Sequence, residues 1–384
     1  MARMPMPIPP EVRELAGDVD ADLFDDAFRA ACERLDVYIG RLAEELGQRL
    51  ELDAAPIAGV DELFSARGWD DAGRLAVTWL LETLELYGGA TRTAAGWRVA
   101  TTQAGVASAE LRAEAERLLP SARPAYEVLS LCAAALPAVL RGELRGEDAL
   151  FGPSTLNLWF EYFSNANPLY APNNAVAALV AARLAPPGAA VFEFGGGAGS
   201  AAEALVARLS SASRAPARYA FTEPQPAFLR RGSRRLRSLL PPECELSATR
   251  YDINLGGAEQ GFEDAQFDLV FGVNTLHLAH ALAPCLSALR RLLRPGGALV
   301  AGELIRPTPD APVHLELPFT LLEDYRRTPS DDGLRVRPGF VSAQGWRRAL
   351  AEAGFHDVRV VPANLEACAA IYPGFYCGAL VAVA

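Results

Sequence analysis

The chain is 384 residues long and 51% hydrophobic, with 36 basic against 47 acidic side chains and a formal charge of −11. That size holds one large core or two smaller ones, and an acidic balance without a long basic run argues against nucleic acid as the main partner. Six scattered cysteines (Cys32, Cys132, Cys244, Cys285, Cys368 and Cys377) with no CxxC pair argue against a zinc or disulfide framework and suit a reducing, cytoplasmic setting; no stretch of about 18 uninterrupted apolar residues points to a membrane span.

In chain order, residues 21–85 repeat apolar positions every three to four residues, which predicts helices. A helix ends at Gly88-Gly89, and two short strand-like runs flank Ala95-Gly96, the second holding Trp97. Helix followed by hairpin is the pattern of a winged-helix module. Its helical part, VDELFSARGWDDAGRLAVTWLLETL, is acidic and apolar, which favours packing or a homodimer contact over DNA binding. Helical segments resume through YEVLSLCAAALPAVLRGEL. The aromatic, amide-rich LNLWFEYFSNANPLYAPNN then leads to the helix AVAALVAARLA, stopped by Pro186-Pro187-Gly188.

From Ala189 strands alternate with helices: AAVFEF, ARYAFTE, ELSATRYDI, FDLVFGVN and GGALVAGELI. Such alternation is the signature of an α/β, doubly wound, mostly parallel sheet. The expected division is a helical, winged-helix-like domain over residues 1–165 and a sheet domain over 166–384. Within the latter, LRRGSRRLRS (229–238) is the nearest thing to a basic patch and reads as a solvated helix face.

VFEFGGGAG (191–199) is strand followed by glycine turn. Ligands of such sheets bind beyond the carboxyl ends of the strands, and Gly195, Gly197 and Gly199 let the backbone approach one closely. A dinucleotide fingerprint needs glycine where Ser200 stands, and Glu193 in the strand before the turn would repel a pyrophosphate. A carboxylate there suits a cationic amino-acid group instead. Glu223, closing the second strand, is placed for two ribose hydroxyls, and Asp252, closing the third, for the exocyclic amine of adenine. Each acid alone also reads as a helix cap; three in order beside a glycine turn describe a pocket for S-adenosylmethionine. Ile253 and Asn274 are counted with this cofactor set.

These motifs, with YAFTEPQPAFL, YDINLGGAEQGFEDAQFDLVFGVNTLHLAHAL and LRRLLRPGGALVAGEL, resemble those of class I methyltransferases with a Rossmann-like, seven-stranded sheet. Within that superfamily the chain is most similar to the carbon-methyltransferase domains of modular polyketide synthases. LPAVLRGELRGEDALF and RPGFVSAQGWRRALAEAGFHDV extend the likeness beyond the sheet. Without ketosynthase, acyltransferase or carrier segments, the chain is expected to be a free-standing relative. The resemblance implies S-adenosylmethionine as cofactor and a catalytic dyad of His277, after the fourth strand, and Glu303, on the fifth. The chemistry agrees: a neutral imidazole can take a proton from acidified carbon while a carboxylate behind it holds the tautomer. On that view loss of Glu303 should slow turnover less than loss of His277. Alone, His277 would read as a packed core residue.

Tyr162, Phe163, Asn167 and Tyr170 are lid candidates, and Phe319 and Tyr325 fall in the insert after the fifth strand, where substrate contacts are expected. Each also reads as ordinary packing. His280 and His314 lack the tight spacing of metal ligands, so no metal is expected, and His356 reads as a surface residue. The expected activity is transfer of a methyl group to carbon beside a carbonyl or thioester in natural-product, polyketide-type biosynthesis. The substrate would be a small molecule or an acyl group on a carrier protein. Alternatives are a small-molecule oxygen-methyltransferase, which uses a similar helical dimerisation module, and a methyltransferase fold repurposed for another reaction.

Overall fold

The computed structural model describes residues 25–101, 105–328, 333–363, 365 and 377–384. Residues 21–24, where the first helix was expected to begin, and Cys368 lie outside them. The first helix, Asp26–Arg49, starts where the Asp25 carboxylate accepts the Phe28 amide at 2.8 Å. Its apolar stripe, Leu35, Ile39, Leu42 and Leu46, is buried against the helices Arg74–Leu86 and Ser108–Leu118. The expected hairpin follows: β1 (Ala90–Thr93) and β2 (Gly96–Val99) pair antiparallel, with Trp97 buried and bridged to Ile57. The segment Pro120–Leu140 is long and apolar enough to cross a membrane, which a search for uninterrupted apolar runs does not reveal. In the fold 61% of its 18-residue apolar window is buried, with Val128, Leu129, Leu136 and Val139 at the centre of the helical core.

The second layer is the sheet. β3 (Ala190–Glu193), β4 (Arg218–Thr222), β5 (Glu245–Thr249), β6 (Phe267–Val273) and β7 (Leu293–Arg306) run parallel, and β10 (Cys377–Val383) lies antiparallel between β7 and β9 (His356–Val361). The order β5-β4-β3-β6-β7-β10-β9 reverses direction at β3, the switch point at which doubly wound sheets hold ligands. Seven strands were expected; β8 (Val341–Ser342), paired to Ile305 and Arg306 at the end of β7, makes eight. It is two residues long and carries no alternation from which to read it. The third strand also stops at Thr249, three residues before Asp252, so Asp252 belongs to the following loop.

Buried side chains gather into two cores. One surrounds the sheet, and the other fills the helical layer as far as Tyr170. They interlace: Phe28 and Cys32 of the first helix join the sheet core, whereas Leu317 and Leu321 of the insert after β7 join the helical core. Each core thus takes residues from both sides of residue 165.

Candidate active site

The glycine turn leaves β3 at the switch point. Gly195, Gly197 and Gly199 have φ of 59°, 55° and 85°, a region that side chains strain. A Cβ on Gly195 would run into the Thr275 side chain, so this position lets the turn nest against the loop after β6. A Cβ on Gly197 would meet nothing within 4 Å, so that position borders open space. Glu193 lies beneath the turn, fully buried. Its Oε2 accepts the Tyr219 hydroxyl at 2.8 Å, and its Oε1 has no hydrogen-bond partner. Burial pushes its carboxyl up to about 8.

Glu223 is 7% exposed, and burial raises its carboxyl too. Oε2 accepts the Gly197 amide at 3.0 Å and Oε1 the Gln225 amide at 2.9 Å. The acid expected to hold the ribose is thus also a strut of the glycine turn, and each oxygen keeps a lone pair for a hydroxyl. Asp252 is exposed, and its Oδ1 accepts the Asn254 amide at 2.9 Å. Gln260 holds the same loop from the other side, accepting the Asp252 amide at 2.7 Å and donating to its carbonyl at 2.9 Å. Ile253 is buried beside it.

Beyond β6, Asn274 takes φ 52° and reverses the chain; its Oδ1 accepts the Leu304 amide at 3.1 Å. A short 3-10 turn, Leu276–Leu278, then carries His277 inward, where it is 1% exposed. His277 Nδ1 lies 2.8 Å from Glu303 Oε2. Glu303, 0% exposed, accepts the amides of Thr275 at 3.0 Å and Leu276 at 2.6 Å with its other oxygen. Three donors therefore fix this carboxylate. Since a carboxylate only accepts, Nδ1 carries a ring proton, and in the neutral ring it is Nε2 that keeps the lone pair.

Aromatic rings wall the pair: Phe340 packs 4.4 Å from the His277 ring and Phe319 5.9 Å. Phe319 also stacks on Tyr325 and reaches Trp159, linking the insert to the lid segment. Tyr170 closes the group beside the Asn274 side chain, and burial pushes its hydroxyl up to about 12. Tyr162 and Phe163 pack with Trp159 and Tyr170.

One lid candidate and one expected substrate contact spend their polar groups inside the protein. Asn167, 1% exposed, donates to the Tyr162 carbonyl at 2.9 Å and accepts the Leu169 amide at 3.2 Å. Tyr325, also 1% exposed, shares its one hydroxyl proton between Glu316 at 3.2 Å and the Pro338 carbonyl at 3.3 Å. Both therefore shape the walls. His280 stands apart with its amide on Asn254, His314 lines a cavity with Phe28 and Leu304, and His356 is exposed. Among the described residues no group of three His, Cys, Asp or Glu could hold a metal.

Sequence reasoning passed over Asn165. Its Nδ2 donates to the Ser200 carbonyl at 2.8 Å and to Glu203 at 2.7 Å, while Asn174 donates to its Oδ1 at 2.8 Å. This amide ties the lid segment to the helix that starts at the glycine turn. Phe340 was missed as well. Neither carries a local signal: Asn165 meets Ser200 and Glu203, and Phe340 meets His277, across long stretches of intervening chain.

A family model described as a methyltransferase domain matches residues 192–299, which span the glycine turn, Glu223, Asp252 and His277. The chain carries a methyltransferase domain. Polyketide synthase ThaQ of Burkholderia thailandensis is 32% identical to this methyltransferase over 350 residues, covering 85% of the chain and 16% of ThaQ. The chain thus spans about a sixth of the length of that relative. Among solved structures, the carbon methyltransferase of CurJ matches with a TM-score of 0.76 at 22% identity, covering 98% of this chain and 97% of its own. That of DszA matches at 0.74 and 21%, covering 100% and 97%. At such identities these likenesses show a shared fold: the chain resembles the carbon methyltransferases CurJ and DszA along nearly its whole length.

Proposed function

We propose that this methyltransferase methylates an acidified carbon beside a carbonyl or thioester of a polyketide-type acyl substrate, either a small molecule or an acyl group tethered to a carrier protein. The observation that carries the reading is the buried His277–Glu303 bond, with its carboxylate anchored by two backbone amides. Glu193, Gly195, Gly197, Gly199, Glu223, Asp252, Ile253 and Asn274 would hold the cofactor. The open space beside Gly197 and the spare lone pairs of Glu223 fit an adenosine. Bound there, S-adenosylmethionine supplies an electrophilic methyl group on a sulfonium.

The residues of the chain do the rest. His277 Nε2 takes the proton from carbon, and Glu303 stabilises the imidazolium that results. Phe319, Phe340 and the lid rings keep water from the carbanion. Residues 1–165 act as lid support or dimer contact rather than as a nucleic-acid reader, and natural-product synthesis in the cytoplasm is the setting. The test is incubation with labelled S-adenosylmethionine and a panel of acyl thioesters, with the new methyl located by NMR. A methyl on oxygen would move the assignment to the oxygen-methyltransferase class; tight cofactor binding with transfer to none of the panel would point to a repurposed site.

A further inference from the structure

The helix Pro226–Arg237 follows directly on the short turn after Glu223, and its buried face is Gly232 and Leu236. On the opposite face stand Arg230, Arg234 and Arg237, exposed and at i, i+4 and i+7, so that they form one stripe. Their guanidinium groups make no ion pair or hydrogen bond among the described residues, although many arginines of this acidic chain are paired. The other two arginines of the helix are engaged: Arg235 pairs with Glu203 at 2.5 Å, and Arg231 lies over the Phe160 ring at 4.4 Å. Phe160, from the lid segment, also packs edge-on against Phe228 at 5.0 Å. The stripe therefore borders the seam between lid and sheet. At about 1.5 Å per residue it runs from roughly 6 to 17 Å along a helix whose first turn adjoins the cofactor acid.

We infer that Arg230, Arg234 and Arg237 form a docking face for an acidic carrier protein that presents the acyl thioester at the lid seam. The inference rests on the acyl-thioester reading above. Three unpaired positive charges on a chain of net charge −11 select an acidic partner by attraction at the stripe and repulsion elsewhere. A stripe of about 11 Å matches one acidic helix face and is short for a nucleic-acid track, which needs charge along many phosphates. Contacts at the rim of a site act mainly on encounter, so their loss should raise KM for the carried substrate more than it lowers kcat.

The test compares wild type with the triple reversal Arg230→Glu/Arg234→Glu/Arg237→Glu, and with the neutral Arg230→Gln/Arg234→Gln/Arg237→Gln. Each is given one acyl group in two forms, on an acidic carrier protein and on a small soluble thioester. With the carrier at low salt, the reversal should lower kcat/KM about 10- to 100-fold and the neutral variant by less. The gap should narrow at high salt. Turnover of the small thioester and binding of S-adenosylmethionine should stay within twofold. Equal use of the carried substrate by wild type and reversal overturns the docking face while leaving the carbon-methyltransferase reading intact. If neither thioester is methylated, that reading fails, and calorimetry of the carrier against both proteins still decides the docking: equal affinities overturn it. Binding of a single-stranded RNA that the reversal abolishes, with no binding of the carrier, overturns it in favour of nucleic acid.

Discussion

Replacing Glu303 by Gln changes one atom and should silence the dyad. Oε1 of Glu303 accepts two backbone amides, at 3.0 and 2.6 Å, and Oε2 faces His277 Nδ1 at 2.8 Å. A glutamine can present its NH2 to only one of these sides. Turned toward the amides it would set donors against donors in a fully buried site, at a cost of about 1–3 kcal/mol for each lost bond. Turned toward the histidine it needs only that the ring proton move to Nε2, so this is the orientation the side chain takes. The proton then occupies the nitrogen that would act as base. Turnover should fall by about two to four orders of magnitude, or roughly 3–5 kcal/mol of barrier. This expectation differs from the sequence-based one, on which loss of Glu303 slows turnover less than loss of His277. Labelled methyl transfer measures the rate, calorimetry checks that S-adenosylmethionine still binds, and nitrogen NMR reads the tautomer. Turnover within tenfold of wild type in a Glu303→Gln protein whose NMR shows the proton on Nε2 would refute the reasoning.

Gly197→Leu, at φ 55° and facing open space, should retain the fold at a cost of about 1–2 kcal/mol yet lose cofactor binding by calorimetry; unchanged affinity would remove Gly197 from the cofactor site. The Glu193 carboxyl sits at about 8 in the fold and near 4.5 in the unfolded chain, so from pH 4.5 to 8 the native state holds a proton that the unfolded state has lost. Stability from this group therefore falls as pH rises through that window, by roughly 3–5 kcal/mol in all, and Glu193→Gln should flatten the slope of denaturant midpoint against pH. Parallel slopes in the two proteins would count against it. Arg306 and Glu316 form a buried pair at 2.5 Å, with Arg306 Nε also on the Phe340 carbonyl at 3.1 Å. Arg306→Met should destabilise by about 3–5 kcal/mol, and Arg306→Met/Glu316→Leu should recover much of it; a single-variant cost below about 1 kcal/mol would contradict the burial argument.

The chain's alternation of β-rich runs and helices determined the doubly wound sheet, because period-two and period-3.6 burial are local properties of the sequence. The glycine turn was legible for the same kind of reason, since glycine takes φ near +55° without the strain that a Cβ brings. The acids at Glu193 and Glu223 and the pair His277 and Glu303 were nameable as residues at strand ends. Their partners were not. That Glu223 braces the Gly197 amide, that Glu303 is held by the amides of Thr275 and Leu276, and that Asn167 and Tyr325 are spent on internal bonds depends on which backbone groups the fold leaves unpaired nearby. The interlaced cores follow the same logic. Leu317 and Leu321 are apolar residues after a strand, and nothing local says that they pack against the helices Arg74–Leu86 and Arg123–Leu140, far earlier in the chain. The walls of the site, Phe319 and Phe340, were likewise decided only when β7 extended to Arg306 and the buried Arg306–Glu316 pair anchored the insert. Sequence periodicity fixes which face of an element is buried; which face it meets is set by the closing of the whole chain.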